Sequence, residues 1–393
     1  MYNMAVAHRI QSFARDKRYK RAVFYGAYWE VLHFPVHQPK FGRTCHALHK
    51  GQGTIEVAKN ASSGFQICQT LRQCRPALCG FERFHAVFKT INDNNFEAAI
   101  LVPRSIPFGQ TTNSPLLAHF HGGALMQGTI LEPCFLSLWP LELAETENAI
   151  IVSPAYRLLP EAKGTEILDD VRDFWIWVHS KLPAIIADKW PHITVNLGRV
   201  ACFGESAGGY LTLQSAMLFP EAKIKVALPQ YAAMYPDIKQ YNEALPISAD
   251  EKAQASAGLD KYMSTIRPGA IRLTAPFPEF SPIVQNTIQS QRHRELLGDD
   301  KRMTLDYGLK TVKYLPPIWY LQGTDDKIVR PGSSYPSQVA CAASNELIDR
   351  LRKSHPETPL LYSVQPGDHG FDSPYGLATP YIAEGIEFVR RYW

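Results

Sequence analysis

Near the middle of the chain, Gly204-Glu205-Ser206-Ala207-Gly208-Gly209 follows an apolar run at 199–203 and precedes small and apolar residues reaching Phe219. The pattern predicts a strand, a sharp turn and a helix. In that setting a serine stands on a strained elbow: glycines let the backbone turn tightly, and Oγ projects above the sheet. The helix N-terminus aims free N–H groups at the same place. A serine hydroxyl is a poor nucleophile until a base takes its proton. Beyond Ser206, His369 has suitable surroundings, in Pro366-Gly367-Asp368-His369-Gly370-Phe371 after an apolar run at 360–364. His355, in a proline-flanked polar stretch, and His293, among Gln291, Arg292 and Arg294, read as surface residues.

An acid to orient the imidazole is expected after the preceding strand, in Trp319-Tyr320-Leu321-Gln322-Gly323-Thr324-Asp325-Asp326. Two adjacent carboxylates qualify, and spacing does not choose between them. One would hold the imidazole tautomer and stabilise the imidazolium, and the other would cap the turn or a following helix. Asp368 is too close in sequence to His369 for the orienting role and is expected to shape the turn.

Upstream, His119-Phe120-His121-Gly122-Gly123-Ala124 follows an apolar run at 115–120. In a hydrolase the N–H groups of Gly122 and Gly123, with that of Ala207, would stabilise a tetrahedral oxyanion, and a side chain there would block the approaching carbonyl. His121 is expected to fix this loop by hydrogen bonding, and His121 and Glu205 are both assigned supporting roles. The plain alternatives are a tight turn with His119 and His121 as satisfied polar residues, and a glycine-rich structural turn around Ser206.

These groups suffice for ester hydrolysis without a metal or organic cofactor. Ser206, deprotonated by His369, attacks an ester or thioester carbonyl, His369 protonates the leaving alcohol, and water resolves the acyl-enzyme. If the site excludes water and positions a hydroxyl, the same triad performs acyl transfer or macrolactone closure as a cyclase or thioesterase-like enzyme of a biosynthetic pathway. Amide hydrolysis, and a binding protein on an inactive scaffold, complete the alternatives.

Strand signals, a loose alternation at 84–90 and short, mostly apolar segments at 96–102, 115–120, 149–153, 199–203, 224–228, 317–321 and 360–364, alternate with helical stretches. The latter fall at 131–145, 166–182, 207–219 and 380–392; in 166–182, Ile167, Val171, Phe174, Val178 and Leu182 recur at helical steps. Such alternation predicts a buried, mostly parallel sheet with crossover helices on both faces. Residues 232–315 break the rhythm and are too long for a simple connection, so they read as an inserted lid or cap. Residues 1–85 read as an appendage, with an amphipathic helix over 4–18. The expected organisation is an N-terminal cap segment at 1–85, core at 86–231, cap insertion at 232–315 and core at 316–393.

The chain has 393 residues, 45 % of them apolar and 20 % charged, with a net charge of +4. This excludes a disordered or fibrous chain and implies no nucleic-acid partner. The basic stretch Arg15–Arg21 reads as a solvated helix face, and peripheral contact with anionic lipid stays open, as does a homodimer. Seven scattered cysteines (45, 68, 74, 79, 134, 202, 341) lack zinc-knuckle spacing and fit free thiols. Neither a signal-like stretch nor an 18-residue apolar run occurs. A cytoplasmic location is the expectation, in which the Asn60-Ala61-Ser62 sequon would go unused.

Taken together, His121-Gly122-Gly123-Ala124, Tyr156-Arg157-Leu158-Leu159-Pro160-Glu161, Gly204 to Gly209, Gly323 to Val329 and Asp368-His369-Gly370-Phe371 resemble the hormone-sensitive-lipase branch of the α/β-hydrolase superfamily, over about residues 84–393. The resemblance implies that fold, selects Asp326, followed by Lys327-Ile328-Val329, over Asp325, and supports Gly122, Gly123 and Ala207 as oxyanion donors. It also implies a cap built from the N-terminal segment plus the insertion. Ala124 departs from a third glycine, and Pro154-Ala155 from an aspartate before the tyrosine. The long front segment resembles that of hydrolase-like proteins attached to fungal biosynthetic pathways.

Overall fold

The computed structural model describes residues 77–233, 247–326 and 338–393, with the backbone alone for Cys134 and residues 338–342. The helix expected at 4–18, the basic stretch at 15–21, the sequon and Lys327-Ile328-Val329 lie outside the described residues.

Eight strands form one sheet: β1 (Phe81–Ile91), β2 (Asn94–Pro103), β3 (Thr112–Phe120), β4 (Ile150–Pro154), β5 (Ile193–Glu205), β6 (Val226–Gln230), β7 (Ile318–Gly323) and β8 (Leu360–Gln365). Their spatial order is β1-β2-β4-β3-β5-β6-β7-β8. The β1–β2 and β2–β4 pairs are antiparallel, and every later pair is parallel. Asn92 and Asp93, at φ 46° and 63°, make the two-residue turn of the first hairpin, where both positions must be left-handed.

The central strands read as continuous apolar runs because both faces are covered. Along β5, Val200 and Cys202 enter one core, Ala201 and Phe203 the other. Along β7, Ile318 and Tyr320 alternate in the same way with Trp319 and Leu321. This period of two is what a fully buried strand requires.

The helices are α1 (Leu138–Glu147), α2 (Gly164–Ser180), α3 (Leu182–Lys189), α4 (Ala207–Leu218), α5 (Ala249–Met263), α6 (Ser281–Ser290), α7 (His293–Leu297), α8 (Leu305–Thr311), α9 (Gln338–Ser354) and α10 (Pro380–Tyr392). Helices α1 and α10 supply one core with Trp139, Leu141, Ile382, Ile386 and Val389. Helices α2, α4 and α9 supply the other, with Phe174, Trp175, Leu211 and Leu347 among its members.

Three expectations change. The helix read from 131 begins at Leu138, because Pro133–Phe135 forms a separate 3-10 turn. The helix expected at 166–182 is α2, ending at Ser180; α3 follows after Lys181 with Pro183 in its first turn, where the missing N–H costs nothing. Helix α9 is one that the apolar pattern does not predict; Ala343, Leu347, Ile348 and Leu351 carry its buried stripe.

Between β6 and β7, helices α5 to α8 form a cap-like region. Ser248 and Glu251 make a reciprocal capping box at the start of α5. Leu259, Val284, Leu296 and Leu297 join the apolar core. Glu161 anchors the region to the core, accepting hydrogen bonds from Tyr262 Oη and from Arg272 Nε at 2.8 Å.

Candidate active site

All the parallel strands end on one edge of the sheet, so the turns after β3, β5, β7 and β8 share it. Ser206 leaves β5 there at φ 55° and ψ −115°, a conformation L-residues rarely adopt, and α4 begins at the next residue. The turn is held by main-chain bonds: Ser206 N–H donates to Gln230 O at 3.0 Å, and Ser206 O accepts from Ala233 N–H at 2.9 Å and Tyr210 N–H at 3.1 Å. Gly208 permits close approach of the neighbouring strand, since a Cβ there would lie 1.8 Å from Phe120 O. The elbow and the end of β3 therefore lock together.

The loop after β3 abuts the elbow. A Cβ on Gly122 would meet Glu205 O at 3.0 Å, and Gly123 sits at φ 100°, open to glycine at little cost. Among the described residues no backbone carbonyl accepts from the amides of Gly122, Gly123 or Ala207. Three N–H groups next to the serine are thus available to an oxyanion.

His121 is buried and stacks on Tyr156 with ring centroids 4.4 Å apart. Burial pushes its pKa down to about 3, so the ring is neutral, and its Nδ1–H donates to Gly122 O at 2.8 Å. Tyr156 Oη donates to His121 O at 2.8 Å. The bond to Gly122 O and the stacking on Tyr156 tie the ring to the loop.

Asp326 follows β7 and His369 follows β8, with His369 Nδ1 2.8 Å from Asp326 Oδ2. Gln322 Nε2 donates to the same Oδ2 at 3.3 Å. Burial opposes the charged form of His369, but Asp326, with smaller contributions from Asp368 and Asp372, raises its pKa above the usual 6.5. Tyr231 packs edge-on against the imidazole, with centroids 4.6 Å apart. Asp325 instead accepts a bond from its neighbour Thr324 at 3.2 Å, and Asp368 accepts from His369 N–H at 2.8 Å, which is local turn chemistry.

Behind the elbow lies a buried polar group that sequence spacing gave no means of finding. Glu205 Oε2 stands 3.0 Å from His119 Nε2, and His119 Nδ1 stands 2.9 Å from Ser153 Oγ. Ser153 donates to Ile130 O at 2.6 Å, so Nδ1–H of His119 must be the donor to Ser153. Asp372 is completely buried and accepts from Trp139 Nε1 at 2.8 Å and Ser137 Oγ at 3.2 Å. Burial pushes its pKa up to about 6 against those bonds, and Glu205 nearby adds to the effect.

Two histidines read as surface residues are not free on the surface. His293 is partly buried, its Nε2–H bonds Ala124 O at 3.1 Å, and burial lowers its pKa to about 4. His355 donates to Leu309 O at 2.9 Å. Polar sequence neighbours hid both contacts, which come from distant segments. Among the described residues no group of three or more His, Cys, Asp or Glu could hold a metal ion, and no helix is long and apolar enough to cross a membrane.

Residues 117–297 match the family described as alpha/beta hydrolase fold. A probable carboxylesterase of Phoma sp. is 30 % identical over 319 residues, covering 80 % of this chain and 97 % of that protein. A probable carboxylesterase of Cochliobolus lunatus is 33 % identical over 192 residues, covering 47 % of this chain and 88 % of the relative. In three dimensions the esterase LipW of Mycobacterium marinum superposes with a TM-score of 0.51 at 17 % identity, covering 86 % of this chain and 92 % of that one. The chain belongs to the α/β-hydrolase superfamily, among its carboxylesterase-type hydrolases of the hormone-sensitive-lipase-like branch.

Proposed function

We propose that this chain hydrolyses small or medium apolar carboxylic esters through an acyl-enzyme on Ser206. The observation that carries this reading is the Asp326–His369 pair at 2.8 Å, on the same sheet edge as the strained Ser206 elbow. His369 takes the Ser206 proton as Oγ attacks the carbonyl carbon. The developing oxyanion accepts hydrogen bonds from Gly122, Gly123 and Ala207. Asp326 holds Nδ1–H so that Nε2 faces the serine, and supports the imidazolium that forms. His369 then protonates the leaving alcohol, and water, deprotonated by the same ring, releases the acid.

An apolar substrate is supported by Phe135 and Phe277. Their rings pack edge to face, with centroids 5.9 Å apart, and Phe135 lies against the Gly122 position. Neither ring is fully buried.

The test is turnover of p-nitrophenyl esters from acetyl to palmitoyl by the wild type and by Ser206→Ala. Sustained release by the wild type, lost by several orders of magnitude in a variant that still folds, is the expected result. Full activity in Ser206→Ala would overturn the assignment. A single burst without sustained release would point to an acyl-enzyme awaiting an acceptor other than water.

A further inference from the structure

We propose that the cap holds the oxyanion loop in its working shape, and that His293 is the positioning residue through which it does so. This rests on the assignment of Gly122 and Gly123 as oxyanion donors.

The loop carrying those donors continues into Ala124 and Leu125, at φ 60° and 58°. Two successive non-glycine residues in the left-handed region are strained, and such a conformation persists only where surroundings impose it. Part of the restraint is local: Met126 and Gln127 N–H groups donate to Gly123 O at 3.0 and 2.9 Å. Part comes from the core, where Leu159 N–H donates to Leu125 O at 2.8 Å.

The remaining restraints come from the cap-like region. His293, opening α7, donates from Nε2 to Ala124 O at 3.1 Å. Gly128 and Ala275 exchange two main-chain bonds, of 2.6 and 3.0 Å. Ser281, opening α6, donates from Oγ to Gln127 Oε1 at 3.0 Å. Three separate cap segments thus grip residues 124–128. The His293 bond reaches the strained peptide nearest the donors.

Holding Ala124 O fixes the peptide plane that follows Ala124; with Gly123 O held by Met126 and Gln127, the two peptide planes that follow the one carrying the Gly123 N–H are restrained. If the bond is lost, Ala124 is free to relax toward negative φ and the Gly123 N–H turns away from the oxyanion. An oxyanion donor acts in the transition state, so its misplacement lowers kcat and leaves KM little changed. A residue touching substrate through the cap would raise KM instead.

The experiment compares wild type, His293→Leu and His293→Gln, the amide of which can reproduce an Nε2 donor. Hydrogen exchange of the segment 121–128 and steady-state kinetics on p-nitrophenyl butyrate are both measured. His293→Leu is expected to speed exchange in 121–128 while leaving β5 to β8 unchanged, and to lower kcat about 10- to 100-fold with KM within about threefold. His293→Gln is expected to restore protection and most of kcat. Unchanged exchange in His293→Leu, equal losses in the two variants, or an effect confined to KM would overturn the proposal. If His293→Leu fails to fold, Ser281→Ala loosens a second cap bond more gently, and wild-type exchange in 121–128 would then count against the proposal. Exchange needs no turnover. Failure of the wild type to hydrolyse esters would therefore sink the esterase reading alone, while unchanged exchange would sink this one.

Discussion

His369 sits between opposing influences, burial disfavouring its charged form and Asp326 favouring it, with a net pKa above 6.5. A general base must be neutral to accept the Ser206 proton. Activity should therefore rise with pH, and the midpoint of that rise in kcat/KM should fall above pH 6.5. Replacing Asp326 by Asn removes the largest influence raising the pKa and lets the ring take the wrong tautomer. The Asp326→Asn variant is expected to lose about 10³–10⁴-fold in kcat, with its residual acid limb displaced to lower pH. A pH–rate profile checks both, and an unmoved limb would show that Asp326 does not govern the base. The choice of Asp326 over Asp325 was not available from residue types. Tertiary contact separates the two: Asp326 Oδ2 lies 2.8 Å from His369 Nδ1, and Asp325 accepts from Thr324.

At the scale of elements, one buried carboxylate joins three segments. Asp170 of α2 is completely buried. It accepts from Arg157 N–H and Nε at 2.9 Å, from Arg157 Nη2 at 2.9 Å and from Lys89 Nζ of β1 at 2.6 Å. Removing it would leave the buried Arg157 with Glu166 as its one remaining acidic partner and Lys89 with Asp173. Asp170→Ala is accordingly expected to destabilise the fold by about 3–5 kcal/mol, read from urea unfolding. A change under about 1 kcal/mol would mean that water or relaxation satisfies Arg157 instead. The elements themselves were largely legible, because buried parallel strands show as short apolar runs and α10 as a clear helical stripe. Their boundaries depended on prolines within ambiguous stretches, as at Pro133 and Pro183. Helix α9 is less legible, because several of its apolar residues are small alanines, with Leu347, Ile348 and Leu351 set among polar and charged neighbours.

Across the whole molecule, Asp372 ties the start of α1 to the turn that carries His369, through Ser137 and Trp139. Its folded pKa of about 6 lies above the ordinary 3.8, so the folded state holds this proton more tightly than the unfolded chain does. The associated stability is complete below about pH 4 and is lost as pH rises through about 6. At neutral pH the ionised, buried Asp372 is then a cost, on the order of 3 kcal/mol. Asp372→Asn keeps a carbonyl acceptor without the charge. Relative to wild type, its stability should improve between about pH 4 and pH 6 and level off above that, as thermal melts from about pH 4 to 8 would report. A constant difference between the two proteins would show that Asp372 does not titrate there.

The sequence alone determined the parts that are local: the serine between glycines after a strand, the double glycine after another, and the histidine in its turn. Each is legible because strand–turn–helix geometry depends on neighbours in the chain. What touches what across the chain was decided by tertiary structure alone. His119 meets Glu205 across 86 positions, and His293 reaches Ala124 across 169. Only folding brings such segments together, and burial then changes the chemistry of the groups, making His293 and His121 neutral rings that hold backbone in place.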